Sequence, residues 1–331
     1  MRNLRAAAAS ASAAAAAYTA YATNERVVEQ RASQLERLRD CAEHCRGYPR
    51  TAASHSQLAS YDRPIVISGL LDAYAWPALG WSFAALRKRI GQALVDCGSS
   101  TGGVPFYLVA ANSARPAGRS DLALYVFDSD FSDEKASLLA DFTDENGDGL
   151  PALTSGDVFA TGAAAEHCDR PVWRWLLAGP AVSGTLVHQD PWGYSSWNAS
   201  LVGRKRWVLF PPSVDRETLH PPRTDAAGRL AALFGIALPR GAAAFMEEVL
   251  PSLRGRGLGE VELVQSPGEV VAFPAGWWHA VVNLDATLAV TESYGRSRDL
   301  ESILDKLRSG GLGAFATVVE EEAALNSGEW W

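Results

Sequence analysis

The sequence predicts a mainly β fold: a double-stranded β-helix, or jelly-roll barrel, with helices flanking it at both ends and an interior that holds a ligand. Three observations carry that prediction. Apolar residues make up 47% of the 331, enough for a large buried core. Residues 61–295 alternate short runs rich in β-branched and aromatic residues with turns containing Gly and Pro, the pattern of many short strands. Residues 25–40 and 299–326 carry apolar side chains at helical spacing among charges. No internal repeat at a solenoid period competes with this assignment.

Taken in order, residues 1–24 stand apart, with two arginines, many Ala and Ser, and no acid. They read as a transit peptide, a weak secretory signal or a low-complexity tail. Alanine is too weakly apolar for a membrane span, and no strongly apolar stretch of about 20 residues occurs elsewhere. Residues 25–60 read as a helical N-terminal region, with Val28, Leu35 and Leu38 spaced along an amphipathic helix. The main domain, 61–295, opens with a strand in RPIVISGLL at 63–71. WSFAALRKRIGQ at 81–92 predicts a helix with Ser82 as its N-cap. PFYLVAA and LALYVF predict further strands, and 141–156 a polar, Gly-rich loop. Gly203-Arg204 predicts a two-residue hairpin turn, which would pair Val202 with Lys205 and Asn198 with Leu209 and put Asn198 and Lys205 on one sheet face. In the C-terminal region, 296–331, RDLESILDKLRSGG and FATVVEEEAALN predict two helices. There Leu300, Ile303, Leu304 and Leu307 follow helical spacing and face either the barrel or a second copy of the chain in a homodimer.

Charge and cysteine usage narrow the function classes. The net charge of −8 and a pI near 5.3 argue against broad nucleic-acid binding, which needs a basic face. Four cysteines at 41, 45, 97 and 168 show no disulfide framework, which fits a reducing, intracellular compartment, nucleus or cytoplasm, unless residues 1–24 direct the chain to an organelle. Cys41, His44 and Cys45 lack a second pair at zinc-finger spacing and read as helix surface. Asp144, Asn146, Asp148 and Gly149 match half of a calcium loop. Ser155 stands where a bidentate Glu is required, so a solvated acidic loop is the better reading.

His188, Asp190 and His279 carry the strongest chemical signal. His188 and Asp190 sit in SGTLVHQDPWG, and His279 lies in VVAFPAGWWHAVVNL; both segments read as strand. A side-chain period of two points His188 and Asp190 to the same side. Two imidazoles and a carboxylate converging on one point bind Fe(II) and leave coordination positions open. The bland alternatives are a chance His-x-Asp pair and a packed strand histidine beside Trp277 and Trp278.

The flanking strings SSWNASLVGRKRWVLFPP and FPAGWWHAVVNLDATLAVTESY resemble the Jumonji-C (JmjC) oxygenases, closest to their arginine-demethylase and lysyl-hydroxylase branch. The resemblance covers roughly residues 61–295 and implies the same double-stranded β-helix of the cupin-like kind. It implies Fe(II), 2-oxoglutarate as cosubstrate and dioxygen. It implies His188, Asp190 and His279 as metal ligands, and Lys205, Asn198, Tyr125, Thr185 and Thr291 as residues that meet 2-oxoglutarate. Without it, Lys205 reads as a snorkelling surface lysine and Tyr125 as plain core. Thr185 lies three residues before His188, so only a bulge would bring both to one side. Thr291 shares a side with His279 only if Leu284-Asp285-Ala286 forms an odd-numbered hairpin loop. The implied reaction is hydroxylation of a protein or peptide side chain, lysyl or arginyl, in a basic partner, with N-demethylation as the alternative outcome. A cupin-type metal enzyme without 2-oxoglutarate and a non-catalytic binding scaffold remain the rival classes.

Overall fold

The computed structural model describes residues 25–43, 45, 47–52, 61–98, 103–114, 124–233 and 241–327. The expectations for residues 1–24, and those touching His44 and His55, lie outside the described residues. The strands are β1 (Arg50–Ala52), β2 (Ile65–Ser68), β3 (Leu94–Val95), β4 (Val104–Pro105), β5 (Val126–Asp128), β6 (Arg174–Gly179) and β7 (Gly184–His188). They continue as β8 (Ser195–Val202), β9 (Lys205–Phe210), β10 (Val261–Gln265), β11 (Val270–Phe273), β12 (Trp278–Asn283) and β13 (Thr287–Tyr294). A seven-stranded sheet runs β1-β2-β11-β8-β13-β6-β5, and a four-stranded sheet runs β10-β9-β12-β7. This is the cupin-like double sheet the sequence predicts, with two differences. Hydrogen bonding does not close it into a barrel among the described residues, and helices hold more of those residues than strands do.

Three apolar layers hold the sheets in place. Between the sheets, Val66, Val271 and Phe273 of the large one meet Trp207, Leu209, Leu263 and Val281 of the small one. The outer face of the large sheet buries Trp197, Ala199, Leu201 and Val290 against Leu86, Ile90, Phe106 and Val109 of the N-terminal helices. The outer face of the small sheet buries Val208, Phe210 and Ala280 against Leu38, Phe245, Met246 and Leu250. Period two therefore sends alternate residues of β9 to different places: Lys205, Trp207 and Leu209 inward, Arg206, Val208 and Phe210 outward.

Several expectations hold locally. Ser82 caps the helix Phe83–Ile90, its hydroxyl accepting from the Ala85 N–H at 3.1 Å. In the acidic loop, the Asp144 carboxylate accepts from the backbone N–H groups of Asn146 and Asp148 at 2.8 and 2.9 Å, so its own backbone occupies it. Other expectations fail. The strand expected over 63–71 ends at Ser68, because Gly69 turns into a left-handed conformation and Leu70–Ala73 is a helical turn. PFYLVAA is not a strand but most of the helix Phe106–Ser113; Phe106, Val109, Ala110 and Ser113 are buried at helical spacing, with Asn112 buried beside them. The N-terminal region adds a strand of its own, since β1 pairs in parallel with β2.

The predicted β8–β9 hairpin is absent, because the two strands belong to different sheets. Gly203 and Arg204 form a corner instead of a hairpin turn. Asp285, between β12 and β13, fixes that corner: its carboxylate accepts from the Arg204 backbone N–H at 3.1 Å and from its guanidinium at 2.7 Å. The β12–β13 link has the three expected residues, yet it too crosses between sheets.

The C-terminal helices, Leu300–Ser309 and Gly313–Ser327, pack on their own chain. Ile303, Leu304 and Leu307 are buried with Phe159, Tyr194 and Phe315, and Leu300 packs on the same cluster. The face that the homodimer expectation relied on is thus used within the chain. Among the described residues no helix is long and apolar enough to cross a membrane.

The sheet-crossing corner yields a test. Gly203 sits at φ +75°, and a Cβ there would lie 2.2 Å from the Ala286 carbonyl oxygen. Gly203→Ala should cost at least about 2 kcal/mol of stability, from left-handed strain plus a clash with backbone. Urea unfolding measures it; an unchanged midpoint would contradict the packed corner.

A candidate metal centre between the two sheets

β7 and β12 are antiparallel neighbours, and His279 pairs directly with His188. Their rings lie 4.1 Å apart between centroids. Asp190 follows just beyond the end of β7, where Pro191 and Gly193 turn the chain; its Oδ1 lies 3.6 Å from His188 Nε2 and 3.7 Å from His279 Nε2. The three ligand atoms fall within 4.8 Å of one another. Each imidazole is aimed by its own strand. His188 Nδ1 hydrogen-bonds the Leu186 carbonyl at 2.7 Å, and His279 Nδ1 the Trp277 carbonyl at 3.2 Å. Nδ1 therefore carries the proton in the neutral rings, and both Nε2 atoms turn their lone pairs toward Asp190. Phe273 and Trp207 flank His279, with ring centroids 4.5 and 6.2 Å away.

Electrostatics match a site prepared for a cation. Burial alone would raise the Asp190 pKa, but His279, His188 and the Ser196 hydroxyl outweigh it and hold the carboxyl at about 2. Burial, reinforced by the neighbouring His188, pulls His279 down to about 4, so it is neutral near pH 7. Burial also opposes charge on His188, yet its contact with Asp190 dominates and raises its pKa. One carboxylate faces two nitrogen donors, an N/O set suited to a divalent transition metal.

A polar pocket continues from this centre along β12. His279, Val281 and Asn283 share the inward side, and Asn283 pairs with Lys205. Lys205 is 1% exposed and is no surface lysine. Its Nζ donates to Asn283 Oδ1 at 3.2 Å, and no carboxylate meets it among the described residues. Burial alone lowers its pKa to about 7. Asn198 also faces inward, opposite Val271 on β11 and Thr291 on β13, and its Oδ1 is buried without a hydrogen-bond partner. Asn198 and Lys205 therefore do not lie on one sheet face, as the expected hairpin would have put them; each faces the space between the sheets from its own sheet. A buried ammonium that no carboxylate meets among the described residues fits a dianion such as 2-oxoglutarate, and the Asn198 amide would donate to that anion only through its Nδ2, not through the orphaned Oδ1.

Thr185 and Thr291 face the same space. The bulge that Thr185 requires is present. The register shifts so that Thr185–His188 spans three residues where its partner, Val281–His279, spans two. Thr185 and His188 thus share the inward side, while Val187 packs outward. Thr291 donates to the Trp197 carbonyl at 2.5 Å. Tyr125 precedes β5, and its ring packs on Gly179, where an added Cβ would meet it at 2.9 Å and Ser183 Oγ at 2.7 Å. Ser183 in turn accepts from Asn283 Nδ2 at 2.8 Å, which links this end of the pocket to Lys205. Burial drives the Tyr125 pKa up, so its phenol stays protonated. The remaining described histidines lie elsewhere: His220 packs on Trp278, and His167 belongs to an exposed group with Cys168 and Asp169.

Sequence reasoning missed Asn283, Ser183, Ser196 and Ser293. Asn283 was accessible, because period two from His279 passes through it. The serines were not, since their partners are set by pairing between distant strands.

The geometry is that of a cupin site, and the comparisons agree. Residues 51–299 match the cupin-like domain family, and the chain belongs to it. Within it the chain carries a JmjC domain. It is 31% identical over 256 residues to the bifunctional arginine demethylase and lysyl-hydroxylase psr-1 of Caenorhabditis briggsae, covering 75% of this chain and 59% of that protein. It is 30% identical over 248 residues to the arginine-specific demethylase JMJ22 of Arabidopsis thaliana, covering 75% of this chain and 45% of that one. Over 122 residues it is 33% identical to the human 2-oxoglutarate and iron-dependent oxygenase JMJD4, covering 37% of this chain and 27% of that protein. The chain thus spans less than two thirds of the length of these curated relatives. The family match begins earlier than the domain boundary expected at residue 61, in keeping with β1 joining the large sheet.

The uncompensated lysine sets a measurable trend. Folding lowers its pKa from 10.5 to about 7, so between those values the unfolded chain binds more protons and wild-type stability rises with pH. Lys205→Met should therefore raise the unfolding midpoint of the ligand-free protein at pH 6, by an amount that shrinks as pH climbs toward 10. A constant difference across that range would refute the buried-cation description.

Proposed function

We propose that this chain is an Fe(II)- and 2-oxoglutarate-dependent oxygenase that hydroxylates a protein side chain, lysyl or arginyl, or N-demethylates it through hydroxylation. The observation that carries the reading is the pairing of two features on one strand. His279 completes a His-Asp-His cluster, and four residues along β12 Asn283 meets a buried lysine that no carboxylate meets among the described residues. The activities of the relatives support it: arginine demethylation, lysyl hydroxylation, and dependence on iron and 2-oxoglutarate. Four free cysteines support an intracellular place of action.

His188, Asp190 and His279 would hold the metal, and Lys205 with Asn198, Tyr125, Thr185 and Thr291 would receive 2-oxoglutarate. When bound, iron and 2-oxoglutarate supply the oxidative chemistry, in which dioxygen and 2-oxoglutarate give succinate, carbon dioxide and one hydroxylated carbon. The chain's residues do the rest. Lys205 would donate a charged hydrogen bond to a carboxylate of the cosubstrate and so orient it. Asn283 keeps the ammonium in line. The protonated Tyr125 phenol would be an additional donor. Phe273 and Trp207 shield His279 from water. If the hydroxylated carbon is an N-methyl group, the product collapses to the amine and formaldehyde. An acidic chain suits a basic substrate segment. A cupin enzyme that does not use 2-oxoglutarate would gain nothing from an unpaired buried Lys205.

The deciding assay is succinate release with Fe(II), with and without 2-oxoglutarate, against a pool of basic peptides. His188→Ala should remove iron binding and turnover together. Lys205→Ala should keep the iron content and weaken 2-oxoglutarate at least tenfold, because a charge-assisted contact contributes about 1.5–3 kcal/mol. Unchanged cosubstrate affinity in Lys205→Ala would sink the oxoglutarate reading.

Affinity should also depend on pH. Below about 7 the ligand-free Lys205 is already cationic; above it, binding a carboxylate must first recruit a proton. The dissociation constant for 2-oxoglutarate should rise by up to about tenfold per pH unit above that point. A flat titration series between pH 7 and 9 would exclude Lys205 as the anion's partner.

A further inference from the structure

Different partners hold the two carboxylate oxygens of Asp190. Oδ1 faces Nε2 of His188 at 3.6 Å and of His279 at 3.7 Å. Oδ2 accepts the Ser196 hydroxyl at 2.5 Å, and Ser196 Oγ lies 2.8 Å from Ser293 Oγ. A hydroxyl has one proton to give, and an ionised carboxylate only accepts. Ser196 must therefore donate to Asp190, and the serine pair must run from Ser293 as donor to Ser196 as acceptor. The relay has one direction: Ser293 to Ser196 to Asp190 Oδ2.

The fold leaves this relay little freedom. Ser196 on β8 pairs directly with Ser293 on β13 and with Phe273 on β11, in the middle of the large sheet. The two serines are 2% and 4% exposed, so water does not compete for their hydroxyls. Asp190, by contrast, lies past the end of β7, outside any strand ladder. Its backbone does not fix the rotation of its carboxylate. The Ser196 hydroxyl, reaching across from the other sheet, does.

We propose that Ser196, backed by Ser293, is a positioning residue that restricts Asp190 to ligation through one oxygen. The proposal rests on the reading of His188, Asp190 and His279 as metal ligands. An octahedral ion held by three protein atoms keeps three positions free. A carboxylate gripping through both oxygens would take one of them and crowd out either a chelating cosubstrate or dioxygen. With Oδ2 occupied by a hydroxyl, only Oδ1 is offered, and it is the oxygen that both imidazoles already face. Ser196 touches neither metal nor substrate in this scheme; it acts through Asp190.

The test titrates the metal-free full chain with Co(II), without cosubstrate, and reads affinity together with the ligand-field spectrum. Ser196→Ala removes one oxygen from a packed layer, and circular dichroism and thermal melting monitor its fold. The spectrum should change, because Asp190 is free to rotate, and Co(II) should bind about 10–100-fold more weakly. Ser293→Ala, which leaves Ser196 in place, should show a smaller change of the same kind. Ser196→Thr, which keeps the hydroxyl, should restore the wild-type spectrum. A serine that merely packs would lower the melting temperature and leave affinity and spectrum at wild type; that result overturns the proposal. Wild-type protein that binds no Co(II) would overturn the metal-ligand reading itself, a distinct outcome.

Discussion

The pairing of β7 with β12 is the contact on which the rest of the site depends. It sets His279 opposite His188, and the bulge between Thr185 and His188 decides which side chains of β7 face inward. Without the bulge, Thr185 and His188 would point to opposite sides. The same strand carries the pattern onward, from His279 at the metal end to Asn283 beside Lys205. One antiparallel ladder thus fixes both ends of an elongated polar pocket. The large sheet supplies the opposite wall through Asn198, Thr291 and Ser196, which meets Asp190 with Ser293 behind it.

The molecule divides labour between its faces. The outer faces of both sheets are covered by apolar helices and bury large side chains such as Trp197, Phe106, Phe210 and Phe245. The space between the sheets mixes an apolar floor of Val271, Leu263 and Trp207 with Lys205, Asn198, Asn283 and Asp190. Those polar groups weaken a core that ordinary packing would fill with aliphatic residues. The helical layers on the outside offset that weakness. The last two helices contribute directly: Gly193, three residues after Asp190, lies so close to Ile303 that a Cβ there would approach it to 3.1 Å. The turn that presents Asp190 is therefore seated on the helix Leu300–Ser309.

Much of this was legible in the sequence, for identifiable reasons. His188, Asp190 and His279 were readable because period two and the distinctive strings around them are local features. Lys205 was readable only through family resemblance; nothing near it in sequence says that it is buried, and Arg204 and Arg206 suggest a solvated surface. The failures share a cause. PFYLVAA is a short apolar run whose composition suits either strand or helix, and packing on the large sheet decided for helix. Gly203-Arg204 has the chemistry of a hairpin turn, but Asp285 captures Arg204 from another loop and diverts the chain to the second sheet. The serines behind Asp190 come from strands about 100 residues apart, and no local pattern announces their meeting.

The separation of the ligands along the chain bears on how the protein assembles. His188 and Asp190 lie in one segment, and His279 arrives from another 91 residues after His188 (279 − 188). An ion meeting the unfolded chain finds at most a two-residue fragment of its site, so it cannot serve as a nucleus for folding. The two sheets must first be threaded together from non-adjacent strands, a topology rich in distant contacts and correspondingly slow to form. Metal enters afterward and stabilises by mass action, favouring the finished state over the unfolded one in proportion to its free concentration. A metal held by His188, Asp190 and His279 would therefore join a fold that is already formed rather than template it.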